Sequence, residues 1–478
     1  MLKTKNKANF TEGPIFTRLL LFVVPLIITG VLQVMYNMAD NIVVGRFSGD
    51  PDALGAVGST SSVTTLIINI MISLSSGAGV VVAQYFGAKD HDKVSRTVHT
   101  SMALSVIGGI ILMIIGIVFA RPLLTIMGTK ELFYEKAVLY MIIICCGIPA
   151  SSIYNFGAAI LRSIGDSKTS LYILATSGLV NVVLNLFFVM FCHMTVDGVA
   201  YATIISQYMS AVAVVWVLMR RRGECYQLNL RKLRMESGLI ARIMRIGVPM
   251  ALQSSLFSIS NIIITSSVNT FPEHVVSAKT IAFNIEGLTY TVMHAFANAA
   301  MTFIGQNFGA QKYRRLNKVF LYTLIQVTVA GILVSQVEIL FGRQLSSLYI
   351  DSTDPNREAI IEAVLEIFRI MLTTYFLCGV MEVISGVLKG IGFSVTSMVA
   401  SLIGLVLRVG WIVFVTPTEK FHTIFGLFVS YTLSWILTIV LLLLCCAYAW
   451  HKLGIWCRAK EEKITEISEK EKIYENTY

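Results

Sequence analysis

The chain has 478 residues, of which 55% are hydrophobic and 14% charged, and it carries a formal net charge of +10. A soluble globular protein has nearer a quarter charged residues, so this composition excludes an ordinary soluble enzyme or binding domain. Apolar stretches of about 20 residues or more, the length that crosses a bilayer, recur along the whole chain. The sequence therefore predicts an all-α polytopic membrane protein that lies in a lipid bilayer.

The basic residues lie in short loops between the apolar stretches, where they set orientation under the positive-inside rule. This location explains the net charge without a nucleic acid partner. The opposite loops are poorer in Lys and Arg, which predicts a multi-pass protein of the cell membrane with both termini in the cytoplasm. The first apolar stretch is too long for a signal peptide and is expected to remain as helix 1. The eight cysteines show no metal-ligand spacing and mostly lie in apolar runs, which favours packing roles.

Twelve membrane spans are predicted in chain order. Each is close to or above the length that crosses a bilayer. The spans cover residues 15–45, 54–85, 94–120, 132–161, 168–191, 197–219, 239–270, 276–305, 315–342, 357–388, 393–416 and 421–449.

The longest hydrophilic connection divides the chain nearly in half, six spans on each side. It predicts an N-terminal lobe at 1–219, a cytoplasmic linker at 220–238 and a C-terminal lobe at 239–450. The cytoplasmic tail at 451–478 is charged and polar, which indicates a solvated helix or disorder, and no function is assigned to it.

The first span carries a polar stripe on one helix face. A carboxylate near the middle of a bilayer costs about 3 kcal/mol or more unless it faces protein or a water-filled cavity. The stripe predicts either an ion or proton path, which intramembrane acids usually mark, or a buried hydrogen-bonded contact without a transport role. It consists of Gln33, Tyr36, Asn37, Asp40 and Asn41, at positions i, i+3, i+4, i+7 and i+8.

The two halves of the chain resemble each other. Pro25 and Pro249 each open a long apolar stretch, and AQYFGA at 83–88 matches GQNFGA at 305–310 before a basic loop. The offset between matching positions stays between 222 and 227. Because each half has six spans, both have the same orientation, and the repeat is parallel about an axis along the membrane normal. Two bundles with a central cleft, rocking to give alternating access, are expected, which favours a transporter.

These motifs resemble those of the MATE (multidrug and toxic compound extrusion) family, within the larger MOP group that includes lipid-precursor flippases. The resemblance rests on residues 25–45, 84–89 and 162–168 and their second-half partners, and it covers about residues 12–450. It implies a V-shaped pair of six-helix lobes that exports amphipathic, often cationic organic compounds in exchange for H⁺ or Na⁺. A monomer without a cofactor is expected. The chain has no HExxH or GxSxG motif and no nucleotide-binding domain, so it is expected to be neither an enzyme nor ATP-driven.

The DinF-like branch of that family has an ion site in its N-terminal lobe. The resemblance assigns its aspartate to Asp40, its two residues one turn apart to Asn181 and Asn185, and its threonine to Thr203. Asn185 stands where the branch has a second acid. Asp40 is then expected to take one proton, or to hold one Na⁺ among amide and hydroxyl oxygens. The acid that the NorM-like branch has on helix 7 is absent here, where Phe257 stands.

The second half carries ionisable residues of its own within the spans. Isolated charges in hydrocarbon are prohibitive, so these residues are expected either to line a cavity or to form buried ion pairs that fix helix packing. No second His or Cys joins His294 at ligand spacing, so no metal site is expected there. The candidate ion pairs are Glu286–Lys279, Glu382–Arg408 and, near the outer end of span 9, Glu338–Arg343.

Polar residues from both halves are expected to line a substrate cavity for small organic compounds. The nearest alternative function is a flippase for a lipid-linked saccharide or cell-wall precursor, which needs several cationic residues for a pyrophosphate. Here the cations expected deep in the membrane are few, Lys279 and Arg408. A receptor or membrane enzyme is disfavoured by the repeat and the intramembrane acid. The predicted cavity residues are Gln33, Tyr36, Asn37, Asn261, Glu286, Tyr290, His294 and Glu382.

Overall fold

The computed structural model describes residues 9–47, 52–351, 354–455, 457–459 and 461–462. The predicted tail beyond residue 462 and the lysine-containing start before residue 9 lie outside the described residues. Within the described ranges the chain is helical and contains no strand, which confirms the predicted all-α class.

The described residues form fourteen α-helices, two of which continue directly into a five-residue π-helix, Phe187–Phe191 and Trp411–Val415. The helices are α1 (Ile15–Phe47), α2 (Ala53–Gly87), α3 (His91–Ile126), α4 (Glu131–Ser163), α5 (Ser167–Leu186), α6 (Val196–Arg220), α7 (Ser237–Val268), α8 (Glu273–Gly309), α9 (Tyr313–Leu340), α10 (Gly342–Ser347), α11 (Arg357–Met371), α12 (Phe376–Gly390), α13 (Ser394–Gly410) and α14 (Ile424–Lys452).

Every predicted span corresponds to a helix, but span 10 is not one straight helix. It consists of α11 and α12, which are bent by 44° across the short 3₁₀ turn Leu372–Thr374. Ten of the described helices are long and apolar enough to cross a membrane alone, and this bent pair makes an eleventh. The twelfth is α8, which has 37 residues but carries Lys279, Glu286 and His294 and is less apolar than the others.

The repeat is visible in the turns as well as in the sequence. Lys89 and Gln311, which are 222 positions apart, both adopt a left-handed backbone with φ of 57° and 56°. Gly165 and Gly392, 227 positions apart, follow α4 and α12 with φ of 93° and 92°. After Gly165, the Asp166 carboxylate accepts the backbone N–H of Thr169 at 3.1 Å and caps α5. The two halves therefore repeat local backbone geometry, not only helix order.

Contacts group the described residues into two units, and two helices contribute to both. Val24–Ser255 belong to the first unit, whereas Phe10–Val23 join the described residues from Leu256 onward in the second. The beginning of α1 thus belongs to the second unit, and the beginning of α7 to the first. The predicted lobe boundaries at residues 219 and 239 stay a prediction; the exchange of helix beginnings is an additional finding.

The matched Gln motifs hold the exchanged helix beginnings within each unit. In the second unit, Gln306 Oε1 accepts the N–H of Phe10 at 3.0 Å, and the Phe10 ring stacks on Phe303 at 3.7 Å. In the first unit, Arg242 of α7 donates to Gln84 Oε1 and to the Tyr85 hydroxyl, both at 2.6 Å. The matched glutamines therefore have the same role in both halves, since each binds the chain near the beginning of the exchanged helix, α1 or α7.

The linker between α6 and α7 is fastened to α3. Glu236 forms an ion pair with Arg96, and the backbone N–H of Asn229 donates to Nε2 of the buried His99 at 3.1 Å. The Arg96 guanidinium beside Glu236 holds the pKa of that carboxyl below its usual value. The predicted linker is thus an ordered part of the first unit rather than a free tether.

Candidate ion and substrate sites

The four predicted ion-site residues come together in the first unit, from three helices. Asn185 Nδ2 on α5 donates to Asp40 Oδ1 on α1 at 2.5 Å and lies 3.5 Å from Asn181 Oδ1. Asn181 Nδ2 in turn lies 3.4 Å from the hydroxyl of Thr203 on α6. The chain of polar contacts therefore runs from α1 through α5 to α6, with Asp40 as its acid.

The position of Asn185 is fixed by the local helix structure. Asn181 and Asn185 lie one turn apart on the buried face of α5. The π-helix Phe187–Phe191 begins two residues later; such wide turns are frequent at functional sites. Asn185 is fully buried, and its Oδ1 has no hydrogen-bond partner among the described residues. Because buried polar atoms are nearly always paired, this oxygen is free to take a further ligand.

Tyr36, a predicted cavity residue, fastens α1 to α5 beside this network. Its hydroxyl donates to the backbone oxygen of Ala175 at 3.1 Å. Its ring occupies the space that a Cβ at Gly178 would need, so this position of α5 requires glycine. Gln33 and Asn37 on the same helix are exposed. Tyr36 is therefore a packing anchor, whereas its two neighbours remain candidates for a cavity wall.

Sequence reasoning missed Tyr140, which lies on α4 near Asp40 and is buried to 9% exposure. Nothing in its spacing along α4 signals this position, because Tyr140 and Asp40 lie on different helices, 100 positions apart in the chain. The side chains that form the network with Asp40, namely Asn181, Asn185 and Thr203, are all neutral.

A cavity opens between α2, α4 and α6 in the first unit. None of the predicted cavity residues lines it, so their predicted role stays a prediction. Gln207 of α6 reaches this cavity and lies one turn from Thr203, so the polar network and the cavity share one face of α6. The lining residues are Thr64, Ile67, Ile68, Met71, Ile144, Cys145, Ile148, Ser151 and Gln207.

The predicted residues of the second unit divide into a half-buried and an exposed group. Glu286 accepts a hydrogen bond from the hydroxyl of Tyr375, which is buried to 1% exposure. By contrast, His294 is exposed and lies 3.8 Å from Glu382, with the ring of Tyr290 stacked 5.8 Å away. Asn261 of α7 is also exposed. The predicted cavity residues of this half thus do not share one environment, since Glu286 is half-buried and bonded to a buried tyrosine, whereas Asn261 and His294 are exposed.

The ion pairs that spacing suggested are not the ones that form. Lys279 donates to Thr265 Oγ1 at 2.9 Å rather than pairing with Glu286. Arg408 donates to Ser434 Oγ at 2.7 and 2.9 Å and lies over the ring of Tyr431, not beside Glu382. These cations are therefore satisfied by hydroxyls and aromatic faces.

Glu338 was predicted to pair with Arg343, and this prediction is wrong. Arg343 pairs with Glu358 at 3.0 Å instead, because α9 ends at Leu340 and Arg343 lies on the separate helix α10. Glu338 is buried to 5% exposure. Among the described residues no group of three or more His, Cys, Asp or Glu has a geometry that could hold a metal ion.

Comparison with known proteins shows a family match in both halves of the chain. The MatE family model matches residues 25–187 and again residues 249–413, so the two matches begin 224 positions apart and confirm the internal repeat. The probable multidrug resistance protein YoeA of Bacillus subtilis (strain 168) is 26% identical over 445 residues, covering 90% of this chain and 93% of the relative. An FAD transporter of Shewanella oneidensis is 23% identical over 410 residues, covering 84% and 88%.

Solved structures show the same fold. An outward-facing multidrug resistance MATE family transporter of the MOP superfamily superposes with a TM-score of 0.86 at 24% identity. The match covers 96% of this chain and 100% of that one. This likeness extends over nearly every helix described above.

Proposed function

The chain belongs to the MatE family, and we propose that it is a secondary active antiporter that exports amphipathic, often cationic organic compounds in exchange for H⁺. The observation that carries the proposal is the Asp40–Asn185 contact within a network whose other members are neutral. No cationic side chain pairs with Asp40 in the described part of the chain. A single positive charge from solution would therefore complete the site.

The orientation of Asn185 supports a proton over Na⁺. Its amide nitrogen faces the Asp40 carboxylate, and its oxygen points away from it. A sodium ion at Asp40 would need amide oxygens turned towards it, since it is bound by oxygen ligands. A proton on Asp40 needs no such rotation. Exchange with Na⁺ is the other outcome that the transport test below distinguishes.

Coupling would run through the helices that the network joins. Protonation removes the negative charge to which Asn185 donates and so weakens the contact between α1 and α5. Pro25 lies two residues from the point at which α1 passes between contact units, so α1 can bend there. Thr203 carries the change to α6, whose Gln207 lines the cavity. Proton binding from outside would thus alter the cavity and release the substrate.

The flippase alternative receives less support. A pyrophosphate would need free cationic groups, whereas Lys279 and Arg408 are engaged with Thr265 and Ser434. We also propose that the protein acts as a monomer in the cell membrane. Both termini are cytoplasmic in this proposal, because the basic loops follow the positive-inside rule. It needs no cofactor in this scheme.

The test is transport into energised inside-out vesicles, with H⁺ and Na⁺ gradients imposed separately. Wild type is expected to move an ethidium-like cation under the H⁺ gradient, and Asp40→Asn to reduce this transport to background. Glu135→Gln is the matched control, because it neutralises an exposed acid of the same unit that pairs with Arg121. FAD, an anion, is the second test compound, because one relative of this chain is an FAD transporter. Unchanged transport in Asp40→Asn would overturn the proposal.

A further inference from the structure

The linker between α6 and α7 returns to the membrane surface after it leaves α6. The helix ends at Arg220, whose guanidinium lies 4.5 Å over the ring of the exposed Trp216. Tryptophans are enriched where lipid headgroups meet the hydrocarbon, so an exposed Trp216 marks the interfacial layer. Further along the linker, the N–H of Leu228 donates to the backbone oxygen of Leu218, which lies between these two residues. The linker therefore runs at the depth of the headgroups.

Two contacts with α3 fix the next part of the linker. The N–H of Asn229 donates to Nε2 of His99, and Glu236 pairs with Arg96. Residues 229–235, from the first of these anchors up to the second, are all exposed, and we call them the linker turn. Because the linker turn is held at both ends, it presents its side chains to whatever lies beside the ends of α3 and α6.

The linker turn separates apolar from basic side chains. Residues 230–232 form a 3₁₀ turn, and the N–H of Leu233 donates to the backbone oxygen of Leu230. Side chains three residues apart lie over one another in such a turn, so these two leucines share one side and Arg231 and Lys232 lie on the others. Apolar side chains on one side and cations on the other are typical of segments that lie in a membrane interface.

The cations of the linker turn lack counter-ions within the described protein. The nearest acid along the chain is Glu236, which Arg96 and Arg234 already share. The side chains of Arg231 and Lys232 form no hydrogen bond or ion pair with any residue that the structure describes. Positive charge therefore remains on the linker turn for a partner outside the chain.

Cations near other helix beginnings are used differently. At the start of α3, Lys93 pairs with Asp90 at 2.9 Å. Before α9, Lys312 donates to the backbone oxygen of Thr11 at 3.0 Å. The positive-inside rule accounts for cations in all of these loops, but it does not account for exposed leucines beside unpaired cations. The linker turn thus differs from the other basic loops in its chemistry.

We propose that the linker turn docks on a membrane surface that carries anionic phospholipids. Arg231 and Lys232 contact the headgroup phosphates, and Leu230 and Leu233 enter the boundary between headgroups and acyl chains. The charges are complementary, because anionic lipids of the cytoplasmic leaflet attract basic segments next to membrane helices. An acidic protein would match the charges but not the depth of the turn. The proposal adds an interaction surface and does not depend on exchange at Asp40.

The experiment measures which lipid lies beside the linker turn. Leu233→Trp adds a reporter on its apolar side, and the unsubstituted chain supplies the signal of the five native tryptophans for subtraction. The full chain is placed in nanodiscs of phosphatidylcholine and phosphatidylglycerol, in which bromine on the acyl chains of one lipid or the other quenches the added tryptophan. Phosphatidylglycerol is expected to bind there about tenfold or more better, since each cation near an anionic surface contributes a factor of about five. Salt at about 1 M should remove this preference, because it shortens the screening length to about 3 Å.

Substitutions in the Leu233→Trp background separate docking of the linker turn from general attraction. Arg231→Gln/Lys232→Gln is expected to bring the preference for phosphatidylglycerol down to a factor of about one. Lys130→Gln/Lys420→Gln is the matched control, because it removes the same charge from two exposed lysines in loops that the predicted topology places on the opposite side. This control should keep the preference. Both leaflets of a nanodisc have the same composition, so the result does not depend on which side is cytoplasmic.

A second reporter protects the test against a local effect of the first. Met235→Trp keeps both leucines and should show the same preference and the same loss. Equal quenching by both lipids would overturn the proposal, and so would quenching by neither, which would mean that water or an acidic protein covers the turn. A preference that survives Arg231→Gln/Lys232→Gln, or that the lysine control removes equally, would overturn it as well. The readout is lipid contact rather than transport, so this proposal and the proposed exchange fail separately.

Discussion

Equivalent positions in the two halves of the chain have the same backbone but different polar residues. Offsets of 224 and 227 place Ile264 opposite Asp40 and Arg408 opposite Asn181. Ile412 likewise stands at the position of Asn185, 227 residues on. In the other direction, Glu286 corresponds to Thr64 at an offset of 222. The fold therefore tolerates an apolar residue at the positions of Asp40 and Asn185 and a neutral one at that of Glu286, which indicates that these three residues serve something other than packing.

At one pair of equivalent positions, the large and the small residue are interchanged between the halves. In the first half the large Tyr36 packs over Gly178, whereas the corresponding positions hold the small Ser260 and the large Leu405, both buried. The residues at these equivalent positions therefore have a similar combined size, although the larger one stands on the first helix in one half and on the fifth helix in the other. Such complementary exchanges preserve packing density.

The largest expected effect comes from breaking this exchange in one half only. Gly178→Leu puts a side chain where the Tyr36 ring lies, and overpacking of this kind costs about 1–3 kcal/mol or more. Tyr36→Ser with Gly178→Leu imports the second-half pair and is expected to recover most of the lost thermal stability, as measured by the melting temperature in detergent. Gly287→Ala is the control, because nothing lies near its Cβ position. If the double variant is as unstable as Gly178→Leu, the two substitutions do not compensate each other and this interpretation is wrong.

A smaller effect is expected when the polar pair of the first half is dismantled. Asn185→Ile removes the donor to Asp40 and leaves a partly buried carboxylate unpaired, at a cost of about 1–3 kcal/mol. Asp40→Ile with Asn185→Ile imports both second-half residues and is expected to restore the melting temperature while export stays absent. If the double variant is no more stable than Asn185→Ile, Asp40 and Asn185 have a structural role, contrary to what the comparison of the two halves indicates.

The smallest effect is expected in the linker between the halves. Because Arg96 lowers the folded pKa of Glu236, this carboxylate adds stability above its unfolded pKa and loses that contribution as pH falls through the folded value. Glu236→Gln should lower stability by about a few tenths of a kcal/mol at neutral pH, since the Arg96 side chain is 42% exposed to solvent. Melting temperatures of the two proteins should converge on acidification. A difference that persists at low pH would show that the ion pair is not its cause.

The sequence predicted the helices well, because they depend on local period. The four residues that the resemblance assigns to the ion site lie together, but their role in ion coupling stays a prediction. Asn181 and Asn185 lie one turn apart, so a single helix face brings both to Asp40. It failed where a contact depends on how helices end or on which helices meet. Glu338 is five residues from Arg343, but the break after Leu340 turns that arginine to Glu358. Tyr140 and the bend at Leu372–Thr374 carry no Gly, Pro or spacing signal.

The most direct test of the central claim is proton release on substrate binding. In an exchanger, the proton on Asp40 and the substrate are bound alternately. Adding an ethidium-like cation to the purified, weakly buffered protein should therefore release H⁺. Wild type is predicted to release protons in proportion to bound substrate, and Asp40→Asn to release none from this site, with Glu135→Gln behaving as wild type. Equal proton release by wild type and Asp40→Asn would contradict the account.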